Sequence, residues 1–342
     1  MAKYTAIGGQ ALIEGIMMKS PEKTAMAVRK KDGSIDISYP KYKSLREKSA
    51  FLRLPFIRGI VSYIESMIQG YKAMMDSMEI SGFADIEDED TPADKKMSKK
   101  KQNALMAVIS VIGTVLGVAL AVGLFMYLPR LAVGGLEKLF KTEFIPIVRS
   151  LILSGIKLTV LVIYMWAVSF MKDMKRVFSY HGAEHKTIFC YEKGLPLTVE
   201  NVRKQSRFHP RCGTSFLIIM VLIGILFSTV LQIIFKDLFS VKWAWTLVSI
   251  LILPLICSVG FEILRICGRY DNIVTRIISA PGRWMQRITT KEPDDGMIEI
   301  AIAALRACEP EVPDVDRAVD ATEKIENPIE EIPEEQNEQN GI

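Results

Sequence analysis

The chain has 342 residues, 49% of them hydrophobic and 24% charged, with a formal net charge of +4. A mean hydropathy of +0.22, with the apolar residues gathered into four blocks, excludes an ordinary soluble domain, in which they would be spread at the period of its helices and strands. The net charge hides an imbalance: residues 309–342 hold twelve acidic side chains against Arg317 and Lys324, so everything before them is strongly basic.

At the amino terminus, MAKYTAIGGQ lacks an apolar core long enough for a cleavable signal, and none is expected. The segment AIGGQALIEGIMMKSP mixes Gly8, Gly9, Gln10 and Glu14 with an apolar run too short to span a membrane. Its glycine pair implies close backbone approach or an unusual dihedral, and G-x-G-x-x-G is absent, so it is no dinucleotide fingerprint. Glu14 is a candidate ligand or acid/base group; a structural turn is the other reading. TAMAVRK, KDGS and IDISY predict strand, turn and strand, with Asp32 and Gly33 at the turn. From Pro55 to Met78, Ile57, Ile60, Val61, Ile64, Met67 and Ile68 recur at helical spacing between polar residues. That amphipathic helix lies either along the membrane or under the hairpin. A charged linker, 86–104, follows this amino-terminal portion, 1–85.

Leu105 to Leu128, Ile147 to Phe170, Phe216 to Phe235 and Ala244 to Ile266 are mostly uncharged. Each is long enough, at roughly 20 residues, to cross a hydrocarbon core about 30 Å thick. They predict four transmembrane helices within a membrane domain at 105–280, whose Gly113, Gly117, Gly123, Pro254 and Gly260 are tolerated where neighbouring helices satisfy the backbone. The connector 171–213 carries nine Lys and Arg residues, against three at 129–146 and two at 236–243. Basic loops stay in the cytoplasm, which places the connector and both termini there. Thiols on that side stay reduced, so the five cysteines argue against a disulfide framework. A cytoplasmic helix at 281–308 precedes the acidic tail, 309–342, whose low apolar content predicts disorder.

All three histidines, His181, His185 and His209, fall in the connector, in HGAEHKTIFCYEKG…RFHPRCGTSF. If the second span continues into the connector, His181, Glu184 and His185 stand at i, i+3 and i+4 and share one helical face. H-x-x-E-H is a zinc-protease pattern in which two imidazoles bind metal and the carboxylate activates water. Gly182 weakens an unbroken helix there, and a hydrogen-bonded polar helix end is the simpler alternative. His209 and Cys212, in HPRC at the start of the third span, would join the pair if spans two and three pack antiparallel, completing a mixed nitrogen, oxygen and sulfur set. Against this, Pro210 and Gly213 could merely shape the turn, with Cys212 as a small apolar residue. Glu262, in the last span, either pairs with Arg265 three residues on or faces the histidines.

GGQALIEGIMM at 8–18, PFIRGI at 55–60, YHGAEHKTIFCYE at 180–192, HPRCGTSF at 209–216 and TTKEPDDGMIEIAIAAL at 289–305 resemble an uncharacterised bacterial membrane family, catalogued as a domain of unknown function and described as a metal-dependent enzyme. The resemblance covers nearly all of the chain except the acidic tail. It implies a site at His181, Glu184, His185, His209 and Cys212.

The expectation is a membrane α-helical protein of four transmembrane helices with a small cytoplasmic α+β amino-terminal portion, holding one divalent metal, zinc, at the cytoplasmic surface. As a hydrolase, it would bind the ion through His181, His185 and either His209 or Cys212, with Glu184 taking a proton from water, and would act on juxtamembrane peptide or lipid headgroups. The alternative is a noncatalytic scaffold or accessory factor for membrane-protein assembly or transport, with a structural metal. The expected partners are the lipid bilayer, a membrane-protein or translocation-machinery partner, and anionic lipid. Nucleic acid is expected only through ribosome association.

Overall fold

The computed structural model describes residues 7–42, 44–45, 49–54, 57–83, 99–210, 212–235, 242–270 and 272–309. The acidic tail predicted to be disordered and most of the charged linker lie outside them.

The protein is mostly helical, with one four-stranded antiparallel sheet at its amino terminus. Strands β1 (Gly8–Leu12), β2 (Gly15–Lys19), β3 (Thr24–Arg29) and β4 (Ile35–Ser38) follow one another as a meander. Gly15 pairs with both Leu12 and Val28, and Arg29 with Ile35. The expected hairpin is β3–β4, with Gly33 at φ +85° in its turn.

The hairpin formed by β1 and β2 is an addition to the expected elements, for a physical reason. Side chains alternate across a strand, yet β2 is covered on both faces, so IMM reads as an unbroken apolar run that could equally belong to a helix. Ile16 and Met18 face one core with Ala25, Ala27, Ile298, Ala301 and Leu305, whereas Met17 joins Leu12, Met26, Val28 and Ala73 on the other side.

Helix α1 (Ile57–Ile80) covers the second face with its carboxy-terminal half. Gly70 lets it approach the Gln10 side chain, since a Cβ there would lie 2.5 Å from Oε1. Its amino-terminal half leaves the sheet for the later helix that carries Ser258, where a Cβ at Gly59 would lie 2.8 Å from Ser258 Oγ. One helix therefore ties the sheet to the apolar half.

Helix α2 (Lys99–Val122) does not end where the first apolar block was expected to end. A single π turn, Gly123–Tyr127, carries it into α3 (Leu128–Phe140). The turn precedes Pro129, whose missing N–H and ring a regular ladder would not accommodate. Arg149 reaches back from α4 (Pro146–Val168) to Glu137 at 3.3 Å and ties α4 to α3. By length and composition, Val111–Phe140 and Ile147–Val168 are the two described helices apolar enough to cross a membrane, with mean hydropathies of 2.3 and 2.1.

Helix α4 stops before the connector. Ser169 and Met171 break the ladder, and a new helix, α5 (Lys172–Glu192), begins. After the short α6 (Val199–Arg203) come α7 (Gly213–Ile234), α8 (Lys242–Arg269), α9 (Ile273–Thr289) and α10 (Asp295–Cys308). Helix α9 runs unbroken through position 281, where a domain boundary was expected, with Pro281 inside it. Helices α5 and α10 cover the first face of the sheet; α7 packs on α4, α8 and α9.

Candidate metal centre

Helix α5 presents two faces with different tasks. Tyr180, Ala183, Ile188 and Cys190 enter the core beneath the sheet, and His181, Glu184 and His185 occupy the adjoining face. The helix is intact through Gly182, contrary to what intrinsic propensity suggests, because the residue is needed for close approach. A Cβ there would lie 2.0 Å from the Lys291 carbonyl oxygen. Lys291 N–H donates to the Phe178 carbonyl at 2.8 Å, so the TTKEP segment crosses α5 in direct backbone contact.

That crossing orients the first histidine. His181 Nδ1 lies 2.9 Å from the Thr289 carbonyl, and its Nε2 lies 3.1 Å from Cys212 Sγ. His185 Nδ1 lies 2.6 Å from the Arg207 carbonyl. A carbonyl can only accept, so both rings carry their proton on Nδ1 when neutral and offer Nε2 lone pairs inward. This is how metal-binding imidazoles are commonly held. One ligand atom from each of His181, His185 and Cys212 lies within 4.8 Å of the others.

Cys212 comes from the HPRC turn, whose position α9 fixes. The fully buried Gln286 accepts from His209 N–H and donates to the His209 carbonyl, each at 2.7 Å, and also donates to Ser215 Oγ at 3.2 Å. Gly282 makes room for Ser215, which would lie 2.5 Å from a Cβ. Gln286 and Thr289 are therefore positioning residues that sequence reasoning missed; the match at TTKEP touched Thr289 and not Gln286.

Burial by itself would raise the Cys212 thiol, but the charges of His181 and His185 and their hydrogen bonds hold it well below its usual value. Burial opposes the charge on His181, yet Cys212 and Glu184 outweigh it and push this histidine up to about 9. Burial raises the Glu184 carboxyl, against the pull of His181 and His185. Gly9 on β1 donates a backbone hydrogen bond to Glu184, and a Cβ at Gly9 would lie 2.8 Å from that carboxyl group. Gly9 thus serves the close approach expected of the glycine pair, whereas nothing lies within 4 Å of where a Cβ at Gly8 would be. Glu184 Oε2 is buried with no hydrogen-bond partner among the described residues.

His209 stands beside this group. Its ring centre is 5.6 Å from that of His185 and 4.5 Å from Phe189, while its Nε2 faces Glu192 Oε2 at 3.5 Å. Burial lowers this histidine to about 4, so it is neutral. The other two candidates are engaged elsewhere. Glu14 occupies the turn between β1 and β2 at φ +52°, ion-paired to Arg176 and accepting from Tyr180 Oη at 3.1 Å. Glu262 accepts two hydrogen bonds from Arg58 at 2.8 Å, with Arg265 further off at 3.9 Å.

A cavity of about 460 Å³ opens onto His181, Glu184, His185 and Cys212, closed on one side by Gly8–Ala11. Two oriented imidazoles, a thiol whose pKa those imidazoles lower, and a carboxylate oxygen with no partner among the described residues suit a borderline divalent ion.

The sequence profile of the family described as "Protein of unknown function (DUF1385)" matches residues 54–311. The chain is similar to the "Uncharacterized protein YqhQ" of Bacillus subtilis (strain 168), with 34% identity over 298 residues, 87% of this chain and 90% of the relative. No solved structure matches. With three quarters of its length under that profile, the chain belongs to the DUF1385 family.

Proposed function

We propose that the protein is a four-span protein of the bacterial inner membrane and a metal-dependent hydrolase whose site faces the cytoplasm, working on peptide or lipid headgroups at the membrane surface. The observation that carries the chemistry is the convergence of His181, His185 and Cys212 beside a Glu184 oxygen that has no hydrogen-bond partner among the described residues. The membrane reading adds α7 and α8, of 22 and 28 residues, to the two long apolar helices. It is supported by outward apolar side chains such as Val115, Leu116, Leu131 and Leu251, each more than 60% exposed. Helix α9 fits an interfacial position, with Ile273, Ile277 and Trp284 exposed on one side and Arg276, Arg283 and Arg287 between.

In this reading His181, His185 and Cys212 bind the ion, with zinc the best match to two nitrogens and one sulfur. A divalent ion supplies the acidity that brings a water's pKa toward about 7. Glu184 accepts the proton of the attacking water and returns it to the leaving group, and its raised pKa suits both steps. Thr289 and the Arg207 carbonyl keep the imidazoles in the required tautomer. Three protein ligands leave one position open for substrate, as catalysis requires. The noncatalytic scaffold has one observation in its favour: His209 is close enough to be considered as a fourth ligand that would close the site.

Glu184→Gln separates the two. Catalysis predicts retained metal with loss of cellular function; retained metal and retained function would support the scaffold. Topology is tested with Lys175→Cys and Lys141→Cys, both at exposed positions. A membrane-impermeant thiol reagent applied to intact cells should label only the second, and labelling of the first would invert the orientation.

A further inference from the structure

A second cavity, of about 600 Å³, lies within the apolar half, bounded by α1, α3, α4, α7 and α8. Its wall is mainly apolar, with Met220, Val221 and Ile256 representative, yet two cations line it: Lys157, midway along α4, and Arg130 at the start of α3. Ser150, Ser154 and Ser228 add hydroxyl groups. Among the described residues no carboxylate answers either cation, and the one charge acting on Lys157 is the like charge of Arg130. A cation inside a membrane span is costly and is ordinarily paired. Lys157 is half-buried, and Arg130, exposed at the start of α3, lines the same cavity; with no acid answering them among the described residues, they call for an anion from outside the chain.

The shape of the cavity narrows the choice. It follows α7 from Gly213 to Ser228, a length of about 22 Å at 1.5 Å per residue, which exceeds one leaflet of a hydrocarbon core about 30 Å thick. A small inorganic anion would leave most of that apolar wall uncovered. An acyl chain would fill it. At the cytoplasmic end, Gly213 also lines the metal-centre cavity, and nothing lies within 4 Å of where its Cβ would be, so no side chain at that position separates the two spaces.

We propose that this cavity binds an anionic lipid, its acidic group held by Lys157 and Arg130 and its acyl chain lying along α7 toward Gly213. The inference rests on α4 crossing the bilayer and not on a metal at Cys212, so the two can fail separately.

The test uses the full-length protein reconstituted into phosphatidylcholine vesicles containing phosphatidylglycerol. The protein is then re-extracted in mild detergent, and native mass spectrometry counts the lipid retained. Wild type should keep phosphatidylglycerol in preference to phosphatidylcholine, and the exposed control Lys172→Gln should behave the same. Lys157→Gln combined with Arg130→Gln should weaken retention about tenfold, as expected for losing charge-assisted contacts, without changing metal content. Lys157→Arg, which keeps the charge, should retain the lipid and shows that loss in the Gln variant is not misfolding. Equal retention of both lipids, or unchanged retention in the double variant, would overturn the proposal. Displacement of the lipid by millimolar inorganic phosphate would also overturn it, naming a free anion as the ligand.

Discussion

The sheet with α5 and α10 and the apolar helices α2, α3, α4, α7 and α8 bury their residues by opposite rules. Around α5, polar groups are inside and tied: Lys186 is buried yet bonds the Arg203 carbonyl at 2.9 Å and Glu292 at 2.7 Å, and Gln286 is fully buried between three partners. Along α2 and α4, apolar groups are outside and uncovered, with Leu116 64% and Ile163 57% exposed. Hydrogen bonds that hold a buried polar group specify its geometry, whereas apolar side chains left outside suit an apolar solvent. The candidate site sits where the two regions meet, on α5 and on the HPRC turn that leads into α7.

The largest effect should come from breaking the tied half at its tightest point. Gly182→Val places a side chain against the Lys291 carbonyl, 2.0 Å from the Cβ position. It should cost about 3 kcal/mol, the upper range for overpacking, and release the Thr289 anchor of His181. Thermal unfolding in detergent together with metal content reads both; a variant as stable as wild type would mean that TTKEP does not cross α5 as described.

An effect of similar size distinguishes the two solvents. Leu116→Lys in α2 should impair membrane integration by about 3 kcal/mol, the cost of a cation at a helix centre in the bilayer. Ile37→Lys on β4, also an exposed apolar position at 44%, should change stability by less than about 0.5 kcal/mol. Integration assays on both variants check this, and equal tolerance would place α2 in water.

The smallest concerns Glu14. Its positive φ favours glycine, so Glu14→Ala should be less stable than Glu14→Gly by about 1 kcal/mol. Burial raises the carboxyl, but the hydrogen bond and charge of Arg176 outweigh it and hold it below its ordinary 4.5. Its contribution is therefore present above that value and is lost as pH falls through the lower folded-state value. Acid unfolding of wild type and Glu14→Gln should converge at low pH; a constant gap would assign the residue a role other than ion pairing.

What the sequence made legible follows the same division. Helical spacing of His181, Glu184 and His185 was readable because it is local, and so was the β3–β4 hairpin with Gly33 at its turn. The strand β2 was not, since burial on both faces erases alternation. Nor was the choice of Cys212 over His209 beside the two histidines, which depends on Gln286 from a helix 77 residues away clamping the HPRC turn. Glu262 was expected either to pair with Arg265 or to face the histidines; Arg265 lies 3.9 Å away, and the closer partner is Arg58, 204 residues earlier in the chain. Local periodicity cannot reveal contacts of that separation.

The central claim is a metal held by two imidazoles and one thiolate, and X-ray absorption at the zinc edge tests it most directly. Protein purified without chelator and reloaded with zinc should hold one ion per chain, with one sulfur near about 2.3 Å and two nitrogens near about 2.0–2.1 Å. Cys212→Ser should abolish the sulfur contribution. Zinc no higher than background in wild type, or a bound ion whose spectrum contains no sulfur scatterer, would contradict the account.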